Sequence, residues 1–503
     1  MMGLLHRLWQ QAQSQSPDAP RQVITDGKFN VVPHFIEGER LIAESDEKFE
    51  LLNPLTGKPE RKAYAASEKV IDSALRSAWR AQEEWAATGV DRRLARFRDF
   101  RELLSMAVQD LAAVLAQEEG CSREAAWADA QSALRHLDEA WLWRELLRSR
   151  GCLPDASEPQ TTAVPFPVGP VGVVEDGRLG FGDVVSMVVS TLMCGNAVIL
   201  KPSLSHPSAA IFLSDLMQRA SFPKGAFGVL QGGFPTAAAL AAQPDLGGLA
   251  CLGCDADSKA RLRLAAASRC NVAIFDRSRF VAVVFPDCDV AAAAGRIASA
   301  FVDGCQTGHA VRAVYVLGDA QVDFASRLRE ALIDKMRRPE AQDGKSRGAS
   351  EAWQLASRAD CERAGRWVER LRSEEALFLI DPDDSALKSK CWAAAPAAVD
   401  FVSPGHPILD EAESLPILPI SRVSDWDGAK ESILARRTAF NACALFSRDR
   451  SDALRKASEL KMLRQTFNCF KAGAIPFCGA SGDAPEDLMG FLTRRACLAE
   501  RWD

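Results

Sequence analysis

Tyrosine is almost missing from this chain: among 503 residues only Tyr64 and Tyr315 carry a phenol, and composition offers no physical account of that. Long apolar runs are missing too. No stretch approaches the ~20 consecutive apolar residues that a helical membrane span requires, so no membrane association is expected. Neither sign of charge dominates: 61 basic against 67 acidic residues leave a net charge of −6. That balance gives no argument for nucleic acid or an anionic membrane as a partner. Metal-ligand spacing is lacking as well. The 14 cysteines are scattered, Cys251-Leu-Gly-Cys254 is the only C-x-x-C, and no second pair follows it. Reduced, mostly buried thiols of a cytoplasmic protein are expected, and no metal.

What is present is ordinary for a soluble globular chain: 47% hydrophobic and 25% charged residues. A chain of 503 residues can bury two or three cores. The stretch from Met1 to Gln10 has an apolar part too short and interrupted for a secretory signal. Leu4, Leu5, Leu8 and Trp9 fall at helical spacing before a polar linker, which suggests a tail over 1–35 able to dock a protein partner through a short helix.

From about Phe35 the pattern becomes regular. Ser67 precedes an amphipathic helix to about Trp85, a long helix runs from Asp91 to Glu119, and a third spans Ser122 to Arg148. Their tryptophans (Trp79, Trp85, Trp127, Trp141, Trp143) read as packing. Strand and helix then alternate: Val168–Val174, helix 183–194, Ala197–Ser203, helix 208–220, Phe227–Gly233, helix 235–242, Leu249–Gly253. Such alternation predicts a parallel, doubly wound sheet. A second α/β half begins near Phe280, residues 338–360 read as a polar loop, and later strands lie at 415–420 and 440–449.

The stretch Phe301–Val316 carries the one strong candidate nucleophile, Cys305. It sits in a loop-like centre with Asp303, Gly304, Gln306, Thr307 and Gly308, ahead of a short strand at Ala313–Leu317.

Several blocks, in order, resemble the NAD(P)-dependent aldehyde dehydrogenase superfamily: Asn53-Pro-Leu-Thr-Gly57, Gly169-Pro-Val-Gly-Val-Val174, Gly195-Asn-Ala-Val198 through Lys201-Pro-Ser203, Pro223–Gly233, Phe280–Asp289, Leu415–Ile420 and Ile475–Gly482. The resemblance covers roughly residues 36–490. It implies an α/β, aldehyde dehydrogenase-like fold: a Rossmann-type doubly wound cofactor domain over 36–274 with a β-flap near 150–167, a second α/β catalytic-type domain over 275–455, and a C-terminal return and oligomerisation segment over 456–503. It also implies NAD or NADP as cofactor and a homodimer formed through the flap and the C-terminal segment, with Asn468–Gly482 in the contact.

Position by position, the family's chemistry is displaced. The nucleophilic cysteine falls on Gly308 and the family's glycine on Cys305, so G-Q-x-C reads C-Q-T-G. The oxyanion asparagine falls on Arg178 and the basic glutamate on Phe275. Of the cofactor clamp, Lys201, Ser203, Gly232 and Gly233 keep their places, while Leu204 stands where the family often has glutamate and Ala412 at the ribose-binding glutamate. Three readings follow. The leading one is a pseudoenzyme, a scaffold or regulatory subunit whose fold has outlived its reaction. Its rival is an NAD(P)-dependent aldehyde or semialdehyde oxidoreductase with non-standard residues around Cys305, using His309 or Asp303 as base and Arg178 as oxyanion donor. The third is a module that binds nucleotide without chemistry.

Overall fold

The computed structural model describes residues 25–500 apart from 27–28, 54–56, 122, 149–150, 153–159, 177–178, 255, 269, 276–277, 308, 337–352, 355–357, 383–392, 395, 412–414, 437–439, 463 and 471–487. Thr25–Asp26, Phe29–Val32, Lys48–Leu52 and Pro59–Tyr64 form a small four-stranded sheet; the same stretch supplies β1 (His34–Ile36) and β2 (Glu39–Leu41), and helices α1 (Glu68–Ala87), α2 (Val90–Glu119) and α3 (Arg123–Asp138) follow. The third expected helix is therefore two, α3 and a short helix at Ala140–Arg148. Helix α1 buries Val70, Ile71, Ala74, Ala78 and Trp85, and α2 stops at Gly120 in the left-handed region (φ 66°). Trp85 and Trp143 are buried, whereas Trp79, Trp127 and Trp141 are partly exposed.

The first large sheet then alternates with helices as expected: β3 (Val171–Glu175), α4 (Phe181–Met193), β4 (Val198–Lys201), α5 (Pro207–Arg219), β5 (Phe227–Val229), α6 (Phe234–Ala241), β6 (Gly248–Leu252) and β7 (Asn271–Phe275). Its spatial order is β7-β6-β3-β4-β5-β1-β2, parallel from β7 to β5 and antiparallel at the β1-β2 edge. Strand β3 is buried throughout because helices cover both faces. Val171 and Val173 join one core layer and Val174 the other, as a period of two requires.

The Gly195-Asn196-Ala197 block is structural. Gln82 Nε2 donates to Gly195 O and its Oε1 accepts from Ala197 N. Asn196 Oδ1 accepts from Gly169 N at 3.2 Å, while its Nδ2 donates to Leu492 O at 2.9 Å. One side chain thus ties the entry of β3 to the C-terminal segment. Gly225 is fixed sterically: at φ 93° a Cβ would lie 2.6 Å from Ser77 O.

The second large sheet starts with β8 (Ser278–Val284), continues through α7 (Val290–Thr307) and β9 (His309–Leu317), and adds β10 (Leu377–Ile380), β11 (Ala397–Asp400), β12 (Ile417–Val423), β13 (Ala442–Phe446) and β14 (Arg464–Phe467). Its order is β10-β11-β12-β9-β8-β13-β14, with only the β10 edge antiparallel. A separate three-stranded sheet pairs Thr493–Glu500 with Gln160–Pro167, and the latter with Gly151–Cys152. Among the described residues no helix is long and apolar enough to cross a membrane.

One local expectation is corrected here. Residues 303–307 are the last turn of α7, and β9 begins at His309. A glycine inside a helix costs about 1 kcal/mol relative to alanine. Burial of Ala294, Ile297, Ala298 and Phe301 along the same helix outweighs it.

Candidate active site

In the first sheet the chain leaves β3 through α4 to β4 on one side, while β6 lies on the other. Ligands of open parallel sheets bind beyond the carboxyl ends of strands at such a switch point. Here those ends carry Glu175, Lys201 and, after β6, Gly253 and Cys254. Glu175 is fully buried and accepts a hydrogen bond from Ser203 N, so the K-P-S turn is held from below by a carboxylate. Ser203 Oγ in turn accepts from Ser205 N at 3.1 Å. Lys201 is 5% exposed and acts electrostatically on the Cys254 thiol.

Gly232 and Gly233 form the turn between β5 and α6. At φ 149° a Cβ on Gly232 would lie 2.1 Å from Thr236 Oγ1, so only glycine fits the turn. Gly233 is the N-cap residue of α6. The preceding Gln231 donates its N–H to His34 Nδ1 at 3.0 Å and its Nε2 to Pro33 O at 3.1 Å. Burial pushes the His34 imidazole down to about 4, which keeps Nδ1 free to accept. Thr236 Oγ1 and Gln231 Oε1 are buried without a hydrogen-bond partner. The Thr236 hydroxyl, able to donate beside a helix amino end, and a buried lysine fit a phosphate-bearing cofactor, while Gln231 Oε1 can accept only from a donor such as a ligand hydroxyl.

Two thiols near this crevice are held from ionising. Contact with Cys251 and burial push Cys254 far up, and burial pushes Cys270 up to about 11. Among the described residues no cluster could hold a metal ion.

The family's glutamate position is filled by packing. Phe275 is 8% exposed, and its ring lies edge-on to Phe491 at 6.3 Å. Gly308 and Arg178 lie outside the described residues. Cys305 falls in the last turn of α7. In register, Ser278 of β8 lies beside His309 of β9, the strand that follows α7. Sequence reasoning missed Glu175, Thr236, Gln231 and His34; a carboxylate closing an otherwise apolar strand was the one available signal.

The chain belongs to the aldehyde dehydrogenase family, whose profile matches residues 41–482. It is similar to malonate-semialdehyde dehydrogenase 1 of Geobacillus kaustophilus (strain HTA426), 24% identical over 95% of this chain and 99% of the relative. Its fold is similar to that of a methylmalonate-semialdehyde dehydrogenase from Oceanimonas doudoroffii, with TM-score 0.82, 21% identity and coverage of 94% of this chain and 98% of the other. It is also similar to that of an NAD-dependent benzaldehyde dehydrogenase from Corynebacterium glutamicum, with TM-score 0.80, 19% identity and coverage of 95% and 98%.

These matches overturn the pseudoenzyme expectation. The relatives that align over nearly their whole length are named as dehydrogenases, so exchange of three family groups is not read as loss of reaction. Absence of a group from its usual position is therefore not by itself evidence that the reaction is lost.

Proposed function

We propose that this protein is an NAD(P)-linked oxidoreductase of small semialdehydes, with Cys305 as nucleophile. The carrying observation is the match of nearly the whole chain to a semialdehyde dehydrogenase, with position 305 in the last turn of α7 ahead of β9. Lys201 would meet the adenosine ribose, and the Gly232-Gly233 turn with Thr236 would receive phosphate at the amino end of α6. When bound, the nicotinamide supplies the hydride acceptor.

The carboxyl end of a helix disfavours an anion, so forming the Cys305 thiolate calls on a base. His309, opening the next strand, is that base in this reading. The thiolate adds to the aldehyde carbon, forming the C–S bond while the carbonyl electron pair moves to oxygen, where Arg178 is the donor. After oxidation, water cleaves the Cys305 thioester to the acid and frees the thiol.

The protein is read as cytoplasmic. It is read as a homodimer too, since Thr493–Glu500 stands at the edge of its three-stranded sheet and offers that edge to a second copy. Light scattering of the purified protein tests the dimer. The activity is tested by following reduction of NAD and NADP with malonate and methylmalonate semialdehydes. Turnover lost in Cys305→Ala is expected; equal turnover in that variant removes Cys305, and none in the wild type removes the function.

A further inference from the structure

The loop that follows Lys201 and carries Ser203 ends at His206, directly before Pro207 opens α5. His206 is 2% exposed, and its ring packs edge-on against Phe181 at 5.7 Å. Its Nδ1 lies 3.4 Å from Glu175 Oε2 and its Nε2 3.8 Å from Glu119 Oε1. Nδ1 is sealed from water without a hydrogen bond, so the tie to Glu175 is one of charge. Glu175 is the same carboxylate that accepts from Ser203 N.

The surroundings carry an excess of acid. From the end of α2 come Glu118, Glu119 and then Cys121; α3 contributes Asp129, β3 contributes Glu175, and Arg61 reaches in from the strand Pro59–Tyr64. Arg61 pairs with Glu118, which also accepts from Ser208 N at 2.9 Å and Ala209 N at 3.1 Å. Asp129 accepts from Phe181 N at 2.7 Å and Gly182 N at 2.9 Å at the start of α4. His136 acts on Asp129 from the far side and is itself bonded to Glu139. Each of these acids has its own donors. Glu119 and Glu175 share His206.

We infer that His206 is a positioning residue for the nucleotide-binding turn: its imidazole, set between Glu175 and Glu119, holds the Glu175 side chain in place as the acceptor beneath Ser203. This rests on the cofactor reading of Lys201 and Ser203 given above. Burial works against a charged His206, but Glu175, Glu119, Glu118 and Asp129 outweigh it and push the imidazole up from its ordinary 6.5. Glu119 moves the same way, up to about 8, because burial penalises its charge more than His206 relieves it; near pH 6.5 it is mostly protonated, and its pull on the imidazole grows only as pH rises toward 8. For a group raised on folding, stabilisation is complete below the unfolded value and is lost as pH climbs through the folded one. The turn is therefore tight near pH 6.5 and loosens on the alkaline side.

Two readouts keep this inference separable from the cofactor reading. The first is hydrogen exchange of the peptide spanning 201–206 in nucleotide-free full-length protein, corrected for intrinsic rates, at pH 6.5 and pH 9. Wild type should be protected about tenfold more at the lower pH, whereas His206→Gln should be weakly and equally protected at both. Matching pH responses in the two proteins overturn the inference. If His206→Gln does not fold, Glu119→Gln serves: it removes one partner of the imidazole and should move the loss of protection to lower pH, and an unmoved midpoint overturns the inference. The second readout is the affinity for NAD and NADP over the same range. Affinity falling with protection supports the whole account. Binding with a pH profile unaltered by His206→Gln retires the inference and leaves the cofactor site standing. A His206-dependent turn with no binding at any pH retires the cofactor site alone.

Discussion

Acidification should strike first at His34. The folded imidazole sits at about 4 against an ordinary 6.5, because burial excludes its charge. Its Nδ1 accepts from Gln231 N at 3.0 Å, and a proton there would set two N–H groups against each other. The unfolded chain binds the proton first, so stability present above pH 6.5 is lost as pH falls toward 4. A shift of roughly 2.5 units corresponds to about 3.4 kcal/mol in full, of which about 2 kcal/mol is gone by pH 5. His34→Asn keeps an acceptor at the same place and does not titrate. Urea unfolding followed by tryptophan fluorescence at pH 7.5 and pH 5 should therefore show wild type losing about 2 kcal/mol more than the variant. Acids elsewhere, Glu119 among them, are common to both proteins and cancel. A wild-type-minus-variant difference that stays flat with pH would refute the reasoning.

Three further outcomes are expected. Gly232→Ala forces a Cβ onto Thr236 Oγ1 at φ 149°; it should cost about 1–3 kcal/mol and weaken nucleotide binding, measured by calorimetry. Asn196→Ala leaves Gly169 N and Leu492 O without their buried partner; a loss of about 2–4 kcal/mol and faster proteolysis of the C-terminal segment should follow. Burial opposes a charged Asp287, but Ser447 Oγ and the Asp449 and Arg448 amides outweigh it and hold its carboxyl below the usual range. Asp287→Ala should lower stability at neutral pH by about 1 kcal/mol at this exposed site, read as a lower thermal midpoint; the difference should vanish as pH drops through the carboxylate range.

The alternation of the first sheet was legible because strands buried on both faces are short apolar runs bounded by glycine and proline, as Val171–Val174 and Val198–Leu200 are. The end of α7 was not legible. Asp303, Gly304 and Thr307 are turn-forming types, and only packing of the preceding helix keeps them helical. Partners distant in sequence were invisible for another reason: nothing near Phe275 announces Phe491, and nothing near Glu175 announces His206. Such contacts are made by the fold, and they decide which polar groups at the crevice are satisfied and which stand open.

The most direct test of the account is the mass of the peptide bearing Cys305 after rapid acid quench of enzyme, NAD and malonate semialdehyde. The account predicts an acyl group on Cys305, absent without nucleotide and absent in Cys305→Ala. An acyl group on another residue, or none during turnover, would contradict it.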